Sequence, residues 1–249
     1  MKQILKVSTK VVILCLVSVL AFSSCASNKA ASGSADVARV YLVQQGPTPG
    51  QSGNFWDDLV GTVVERRPWG GTAQDSATGI FYLAADDKNL YLRAEIKDVS
   101  PSVRPPDMDP GMGWNGTSLQ LFFGVKTNRR VMYTEGDSGL TIWVTHAPGA
   151  PANRRVAVTK GRPMNERQFR GAVVEWTNNS YIVEVSFSLD ALEIYKPFRN
   201  GQKIRCEFRI NQAAPNNGDR SYIINWRTPT DDAWHDPSVW SDGYVIQRP

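Results

Sequence analysis

Apolar and polar residues alternate with a period of two along most of the chain after residue 36. In the segment 89–98, Leu90, Leu92 and Ala94 fall on one face, and Arg93 and Glu95 fall on the other. The segment 202–210 repeats this pattern by setting four apolar residues against four charged ones: Ile204, Cys206, Phe208 and Ile210 against Lys203, Arg205, Glu207 and Arg209. Each segment is therefore predicted to be a strand with one dry face.

The same alternation predicts nine further strands, separated by turn residues such as 86–89, 137–139, 178–179 and 200–201. They are 37–43, 79–85, 117–125, 130–134, 139–145, 170–176, 181–187, 221–226 and 243–247. Many strands at short spacing, without a long helical period, predict an all-β fold, an antiparallel β-sandwich of jelly-roll type. Only the segment SLDALEI is predicted to be helical, over one or two turns, with Ser188 or Asp190 as its cap.

The first 24 residues have the anatomy of a signal peptide. Lys2, Lys6 and Lys10 precede an apolar run over 11–22, and the segment contains no acidic residue. The run is shorter than the ~20 residues that span a bilayer, which argues against an uncleaved anchor. The segment ending at Cys25 resembles the lipobox of bacterial lipoproteins, although Phe22 stands where Leu is usual. The resemblance implies that Cys25 is the site of lipid attachment.

The residues after Cys25 predict a tether followed by one domain. Residues 26–36 are small and polar, so 25–36 is expected to be flexible and 37–249 to form a single sandwich domain. An exported chain anchored at the bacterial cell envelope follows from this organisation. Ala26, rather than Asp, follows the lipid cysteine, which favours the outer membrane in a Gram-negative organism.

Charge and cysteine content exclude several function classes. Removal of the three leader lysines leaves 25 basic and 24 acidic residues, so the sequence pI near 9.0 does not indicate a nucleic-acid partner. The arginine pairs at 66–67, 129–130 and 154–155 are expected to be solvated loop charges. Only Cys206 remains in the predicted domain, which excludes an internal disulfide, and its phase predicts a buried thiol.

Six fragments, in order along residues 53–245, resemble the family 9 carbohydrate-binding modules. They are FWDDL, DDKNLYLRAEIKD, GWNGTSLQLFF, YIVEVSFSLDAL, NGQKIRCEFRINQA and WHDPSVWSDGYVI. The resemblance implies a β-sandwich that binds sugar without catalysis, with two tryptophans enclosing a sugar ring. The acidic positions that the family usually carries at 116–120 are lost here, and Gln212 stands where the family commonly has Asp.

The resemblance assigns the candidate site residue by residue. Trp114 and Trp234 match the two stacking tryptophans, and Gln120 stands at the position of the strand carboxylate. Gln212, Asp231 and Asn211 fall where further polar contacts are expected. Gln120 is out of phase with the apolar residues of its strand, so it is predicted to point away from their face. Each candidate also has a purely structural interpretation. The tryptophans would cap the end of the sandwich, the glutamines would be solvated or lie at a sheet edge, and Asp231 would be a turn residue.

The other tryptophans divide by their sequence context. Trp69 lies in a glycine-rich and proline-rich segment, and it is therefore expected at a loop rim with Trp114 and Trp234. The remaining five fall within predicted strands or beside the sandwich ends and are expected to pack in the interior: Trp56, Trp143, Trp176, Trp226 and Trp240.

Catalytic and zinc chemistry have little support in the sequence. The chain has only two histidines, no Gly-x-Ser-x-Gly elbow and no spacing typical of zinc ligands. No enzyme is therefore predicted.

Three alternatives to a cofactor-free sugar module remain open. A structural calcium ion would fit the resemblance, on loop carboxylates such as Asp86, Asp87 or Asp98. Relatives of this sandwich bind haem, for which the available axial ligands are Met108, Met112, Met132, His146 and His235. A surface lipoprotein that binds another protein through its aromatic loops is the third alternative. The favoured hypothesis is a carbohydrate-binding lipoprotein that captures a poly- or oligosaccharide, with glycoside hydrolases as candidate partners.

Overall fold

The computed structural model describes residues 37–69, 77–105, 107–147, 150–214 and 219–249, without the side chains of 67–69 and 150–152. These residues belong to one compact unit. The predicted signal peptide, Cys25 and the tether lie outside the described residues, as does the side chain of Trp69.

Thirteen strands form within the described ranges, together with four single-turn 3-10 helices. The strands are β1 Ala38–Leu42, β2 Thr62–Val64, β3 Arg66–Trp69, β4 Thr78–Ala85, β5 Asn89–Lys97, β6 Ser118–Gly124, β7 Asp137–Ala147, β8 Ala150–Thr159, β9 Phe169–Trp176, β10 Ser180–Ser188, β11 Lys203–Ala213, β12 Arg220–Asn225 and β13 Ser241–Gln247. The helices are Pro110–Met112, Asp190–Leu192, Asp232–Trp234 and Pro237–Val239.

The strands pair into one continuous sheet that folds over its own core. The main order is β8-β7-β6-β11-β13-β1-β4-β5-β10-β9, and β2, β3 and β12 pair beside this path. All pairings are antiparallel except those of β1, which runs parallel to both β13 and β4. The edge strands β8 and β9 come close together, since a Cβ on Gly171 would lie 2.7 Å from the Val156 side chain. The predicted all-β sandwich is confirmed, in a nearly closed form.

Strand alternation locates most of the elements, and the exceptions have physical reasons. The predicted strand 130–134 is wrong, because this segment is irregular in the structure. Strands β2, β3 and β8 were not predicted. Strands β3 and β8 contain Pro68 and Pro151, which interrupt the strand pattern but are tolerated near sheet edges. The arginine pairs at 66–67 and 154–155 therefore lie in strands rather than loops, and only 129–130 lies in a loop.

The inner faces of the two halves of the sheet form the main core. Leu92 of β5, Leu121 of β6 and Phe208 of β11 belong to it, and Cys206 is fully buried in the same cluster. Burial raises the pKa of the Cys206 thiol, as predicted for a structural cysteine. The aromatic side chains predicted to pack do so: Trp56, Trp143, Trp226 and Trp240 are buried, and Trp176 packs partly buried against the core.

The charged face of β11 differs from the expectation of one dry face, because both faces of this strand are buried. Glu207 accepts hydrogen bonds from the backbone nitrogens of Trp226, Arg227 and Thr228. Arg205 donates to the carbonyl oxygens of Pro237 and Trp240. The C-terminal loops 226–240 therefore cover the outer face of β11 and supply partners for its charges.

The one predicted helix is a single 3-10 turn, Asp190–Leu192. Ser188, one of the two predicted caps, accepts a hydrogen bond from the Ala191 nitrogen at 3.2 Å through its hydroxyl oxygen. No helix within the described residues is long and apolar enough to cross a membrane.

Candidate functional site: an aromatic cavity on the outer face of the sheet

A cavity of about 630 Å³ opens on the outer face of β6, β7 and β11. Alternation along β6 turns Gln120 and Phe122 toward this face, while Leu119, Leu121 and Phe123 enter the core. Residues from the loops before β6, after β6 and before β13 complete the cavity walls. The cavity has both a pleated floor and rims made of loops, which is a frequent setting for a small-ligand site.

The two tryptophans matched by resemblance both line this cavity. Trp114 follows the helix Pro110–Met112 and is half-buried, whereas Trp234 ends the helix Asp232–Trp234 and is 57% exposed. The Tyr133 hydroxyl donates to the Trp234 carbonyl oxygen at 3.1 Å, and its ring lies edge-on against Trp240 at 5.3 Å. The fold therefore brings two loops that are distant in sequence to one rim.

Trp114 is held by contacts to the beginning of β12. The Arg220 guanidinium carbon lies 4.5 Å from the centre of the Trp114 ring, a cation–π distance. Next to it, the Asn115 side chain accepts from the Arg220 backbone nitrogen and donates to Asp219. These contacts order the Trp114 loop before any ligand binds.

Gln120 is 7% exposed and lies in the cavity floor, facing as the alternation predicts. Its amide nitrogen donates to the Thr141 hydroxyl at 3.2 Å. Its carbonyl oxygen accepts from Asn211 at 3.3 Å and from Arg209 at 3.4 Å. Because these bonds are long, Gln120 is oriented without being saturated, and it can exchange partners with a hydroxyl-bearing ligand.

Arg209 and Asp231 form an ion pair in the cavity wall. The Arg209 Nη1 atom lies 2.5 Å from Asp231 Oδ1, and Arg209 Nε donates to Asn225 at 2.9 Å. The side chain of Arg209 is 1% exposed and that of Asp231 is 40% exposed. Burial lowers the pKa of Arg209, and also that of Arg220, whose Nη2 lies 3.8 Å from Asp231 Oδ2. Asp231 is therefore a charged cavity residue and more than a turn former.

The remaining two polar candidates do not line the cavity. Asn211 is fully buried behind the floor, where it donates to Ser118 and Gln120 and accepts from Arg220. Gln212 points to the opposite side of β11, and its carbonyl oxygen accepts from the Ala77 nitrogen at 2.7 Å. One residue along a strand reverses the side-chain direction, so Asn211 and Gln212 cannot face the same cavity. Gln212 therefore lies apart from the other site candidates.

Several residues that line the cavity were not predicted from the sequence, although strand alternation could have identified some of them. Phe122 is in phase with Gln120, and Arg209 is in phase with Asn211, so alternation alone places each on the cavity face. Tyr133 was not predicted as a cavity residue, because the segment 130–134 was wrongly predicted to be a strand. Lys160 directly follows β8, a strand that the sequence pattern did not predict.

The three aspartates considered for calcium do not form a common cluster. Within the described ranges, no group of three or more His, Cys, Asp or Glu side chains could hold a metal ion. Both oxygens of Asp86 already accept hydrogen bonds from this chain, including one from the Tyr91 hydroxyl at 2.5 Å. Asp98 is buried and accepts from the Ser100 nitrogen, and its burial raises the pKa of its carboxyl group. Asp86 and Asp98 therefore already have hydrogen-bond partners within this chain, and calcium binding stays a prediction.

The candidate haem ligands also lie outside the cavity lining described here. Met108 Sδ is 3.0 Å from Arg104 Nε, and Met132 is 73% exposed. Met112, His146 and His235 are likewise absent from the lining. No contact within the described residues favours a haem site.

A second cavity of about 870 Å³ lies beside the turn 86–89, between the segments 44–49 and 166–170. Its described lining is mostly polar and includes no tryptophan. The aromatic cavity is therefore the stronger candidate for a site that stacks a sugar ring.

Part of this chain is similar to a segment of several curated proteins. A 177-residue stretch is 26% identical to endo-1,4-beta-xylanase A of Thermotoga neapolitana, over 71% of this chain and 15% of the xylanase. The exoglucanase XynX of Acetivibrio thermocellus is 26% identical over 178 residues, which are 70% of this chain and 14% of the exoglucanase. The chain thus spans only about a seventh of the length of these curated relatives.

Two solved structures share the fold. Both are of a carbohydrate binding module family 9 from Caldicellulosiruptor kristjanssonii, one in complex with cellotriose and one with glucose. Their TM-scores are 0.60 and 0.59, each at 21% identity over 85% of this chain, covering 95% and 97% of the solved chains. The family model described as "Carbohydrate family 9 binding domain-like" matches residues 50–246, most of the chain. The protein therefore belongs to the family 9 carbohydrate-binding domains, which are non-catalytic binding modules.

Proposed function

We propose that this protein is a lipid-anchored module that captures a poly- or oligosaccharide at the bacterial cell envelope. The sugar lies in the aromatic cavity, between the loops that carry Trp114 and Trp234. Gln120 and Asp231 exchange hydrogen bonds with its hydroxyl groups. The observation that carries the proposal is that these four side chains, from two distant parts of the chain, 114–120 and 231–234, line one cavity.

The chemistry of the cavity suits a pyranose ring. Indole faces accept the C–H face of a sugar, while planar amide and carboxylate groups read its hydroxyls. A volume of about 630 Å³ is enough for a small saccharide and lies within the range of ligand pockets. Phe122 and Tyr133 add apolar surface to the floor.

The anchor and the partners belong to the same proposal. Lipid on Cys25 would hold the domain at the envelope, with the outer membrane favoured, and residues 26–36 would act as its tether. Many anchored copies would add avidity to a weak single site. Glycoside hydrolases are the proposed partners, because the curated relatives include xylanases in which this region is a small part of a longer chain. Metabolic labelling with a radioactive fatty acid tests the anchor: the wild-type protein should be labelled and the Cys25→Ala variant should not.

A glycan array followed by calorimetric titration tests the capture of sugar. The purified full-length protein should bind a restricted set of glycans. Trp114→Ala and Trp234→Ala should each weaken binding by about tenfold or more, because each removes a stacking face. Tyr195→Ala is the matched control, since Tyr195 is exposed and lies outside the cavity lining. Unchanged affinity in both tryptophan variants would refute the site, and a silent array would refute the function.

A protein partner is the second candidate, favoured by apolar side chains beside the cavity. Val131 and Met132 are 67% and 73% exposed and precede Tyr133, which lines the cavity. Exposed apolar patches often mark protein interfaces. A silent array combined with a co-purifying envelope protein that is lost on Met132→Lys would favour this candidate.

Calcium and haem enter no step of the proposal. Thermal unfolding with added calcium and with a chelator tests the first, and an absorption spectrum of the purified protein tests the second. A calcium-dependent melting temperature or a Soret band would reopen the corresponding assignment.

A further inference from the structure

Gln120 and Asp231, which bind hydroxyl groups in the proposed function, lie on one side of the aromatic cavity. Gln120 belongs to β6, and Asp231 pairs with Arg209 of the adjacent strand β11. The cavity continues across β7 to Thr159 of β8, whose partner in the sheet is Thr141. Two strand spacings separate Gln120 from Thr159, or about 10 Å. The cavity floor therefore extends well beyond these two polar groups.

The part of the cavity beyond Gln120 is a corner between β7 and the end of β8, here named the β7–β8 corner. Its lining residues are Asp137, Gly139, Thr159, Lys160 and Gly161. Two of the five are glycines, so side chains do not fill the floor between the polar groups. A Cβ on Gly139 would lie 2.8 Å from the Tyr133 hydroxyl oxygen, which places Tyr133 at the border of the corner. Open floor bordered by polar side chains can take a ring-shaped unit that carries hydroxyl groups.

Asp137 has one carboxylate oxygen fixed by its own chain and one left open. Its Oδ2 accepts hydrogen bonds from the Thr134 backbone nitrogen at 2.9 Å and from the Thr134 hydroxyl at 2.8 Å. Its Oδ1 accepts no hydrogen bond from the described residues, and it is not one of the buried polar atoms without a partner. Because the half-buried side chain lines the cavity, Oδ1 is an accessible acceptor in a fixed orientation.

Thr159 and Lys160 add donors to the same corner. The Thr159 hydroxyl has no hydrogen-bond partner among the described residues, and it too is not sealed from the cavity. Lys160 Nζ donates to the Ala191 carbonyl oxygen at 3.2 Å and to Glu193 at 3.1 Å. An ammonium group has three N–H donors, so one donor remains for a ligand.

Asp137 and Lys160 approach the segment 191–193 from two sides without pairing with each other. Ser138, next to Asp137, donates to the Leu192 carbonyl oxygen at 3.5 Å, while Lys160 contacts the residues on either side of Leu192. Within the described residues, the ion pair of Lys160 is with Glu193 and not with Asp137. A hydroxyl group between them can donate to the carboxylate and accept from the ammonium group, in charge-assisted hydrogen bonds.

An apolar surface connects this corner to the first group of polar residues. Phe122 pairs with Gly139 in the sheet and is two residues from Gln120 on the same face of β6. It therefore lies between Gln120 and Asp137. A chain of linked sugar rings could cross it with C–H groups against the aromatic ring.

We propose that the β7–β8 corner is a second saccharide subsite, in which Asp137, Thr159 and Lys160 bind the hydroxyl groups of a neutral sugar unit. The inference rests on the proposed capture of sugar, and it makes the ligand an oligosaccharide of at least two units. A neutral unit is favoured because one hydroxyl can donate to Asp137 and accept from Lys160 at once. A carboxylate cannot donate, and an ammonium group cannot accept.

The test compares monosaccharides with their disaccharides on the purified full-length protein by calorimetry. The pairs are glucose with cellobiose, xylose with xylobiose and mannose with mannobiose, together with the same pair for any other sugar found on the array. We expect the best-bound disaccharide to bind about tenfold more tightly than its monosaccharide, because the second unit adds hydrogen bonds at the β7–β8 corner.

Two variants of nearly unchanged shape should reduce this preference. In Asp137→Asn the amide oxygen can still accept from Thr134, but a donor replaces the open acceptor. The ratio of monosaccharide to disaccharide dissociation constants should fall by about fivefold or more. Thr159→Val removes only a hydroxyl, and the same ratio should fall by about threefold. Circular dichroism of each variant establishes that it is folded.

Two further variants serve as references for the ratio. Glu135→Gln is the matched control, because Glu135 is exposed, lies two residues from Asp137 and is absent from the cavity lining. It should keep the wild-type ratio, although it removes the same charge. Trp114→Ala should weaken the binding of both sugars to a similar extent, because Trp114 belongs to the first sugar position.

The outcomes separate this inference from the proposed function. A wild-type protein that binds monosaccharides as tightly as their disaccharides overturns the second subsite and leaves sugar capture intact. A wild-type ratio in Asp137→Asn also overturns it, and Thr159→Val decides the matter if Asp137→Asn does not fold. Binding of no glycan in the array removes both proposals together.

Discussion

The outer faces of the two halves of the sheet differ in how far other segments of the chain cover them. On the half formed by β4, β5 and β10, the segment 44–60 lies over the strands, and Trp56 and Leu59 pack against Tyr41 and Tyr91. Beneath this cover, Glu184 accepts hydrogen bonds from the Gly50 nitrogen, the Ser52 hydroxyl and Arg93.

The half formed by β6, β7 and β11 has a partial cover that leaves the aromatic cavity. The buried charge at the cavity, Arg209, receives partners from Asn225, Asp231 and Gln120, but one of its nitrogens has no hydrogen-bond partner. On the covered face both oxygens of Glu184 are paired within the chain, although Trp56 Nε1 is buried there without a hydrogen bond, whereas on the cavity face the buried Arg209 cation lacks one partner. Burial of a charge alone therefore does not mark a binding site, whereas a buried charge that is incompletely paired beside an open cavity does.

The largest effect is expected for Glu184→Ala, which removes the buried carboxylate of the covered face. Glu184 is 2% exposed on its side chain, and its removal leaves Arg93 and two loop donors without their acceptor. We expect a loss of about 3 kcal/mol in the free energy of unfolding, measured by urea denaturation. The matched control is Glu95→Ala, which removes the more exposed partner of the same arginine and should cost less than about 1 kcal/mol. Equal costs would show that the cover over Glu184 contributes little.

The next test is Tyr91→Phe, combined with a change of pH. Burial raises the pKa of Asp86, but hydrogen bonds from Tyr91, Lys88, Asn89 and Gly46 outweigh it, and the net pKa lies below the ordinary value of 3.8. A carboxylate with a depressed pKa stabilises the fold above its unfolded pKa, and this contribution is lost as the pH falls through the folded value. The variant should lose about 1–2 kcal/mol at neutral pH.

The acid limb of the unfolding curve provides the measurement for this second test. Loss of stability below pH 3.8 should be smaller in Tyr91→Phe than in the wild type, because Asp86 then has less to lose. Tyr195→Phe is the control, since Tyr195 is largely exposed. Parallel pH profiles in all three proteins would contradict the role assigned to the Tyr91 hydroxyl.

A smaller effect on stability is expected on the cavity face, from Gln120→Ala. Water in the open cavity can replace the lost amide, so the free energy of unfolding should fall by less than about 1 kcal/mol. Affinity for the ligand found on the array should fall by about tenfold at the same time. Thr127→Ala, in the exposed loop after β6, serves as the control for both measurements. A large stability loss without an effect on binding would make Gln120 a structural residue.

The smallest change is expected for Met132→Ser on the exposed loop. Because Met132 is 73% exposed, the free energy of unfolding should stay within about 0.5 kcal/mol of the wild type. Sugar affinity should also be unchanged, since this side chain is absent from the cavity lining. A marked loss of affinity would extend the site beyond the cavity and onto the apolar rim.

Local patterns predicted the strands well where one face enters the core. The alternation in 89–98 and 202–210 corresponds to β5 and β11, and the phase of Gln120 placed it on the outer face. The same rule failed for 130–134, where an alternating segment forms a loop over Trp240, and for β8, whose proline disguises an edge strand. The alternation of residues describes one segment at a time. It does not include the strands that pair beside that segment or the loops that cover it.

The site was harder to predict than the fold, for the same physical reason. The resemblance to a known family selected Trp114, Trp234, Gln120 and Asp231, which the structure brings to one cavity. It also selected Gln212, which faces the other side of β11 beside Ala77. The sequence therefore determines the position of Gln212 in its strand. The contacts of Gln212 depend on the segments that pack beside the strand.

The order of apolar and polar residues was sufficient to specify most of the strands, their inner faces and the all-β class, because these depend on contacts that repeat every second residue. Membership of the binding-module family was also legible in the order of six short fragments. The sequence pattern did not predict which charged side chains are buried. Nor did it predict which of the buried charges lack a full set of hydrogen-bond partners. Arg209 and Glu184 are similar in their local sequence, each a charged residue in an alternating strand, and only the loops folded over them, from distant parts of the chain, make one complete and leave the other open.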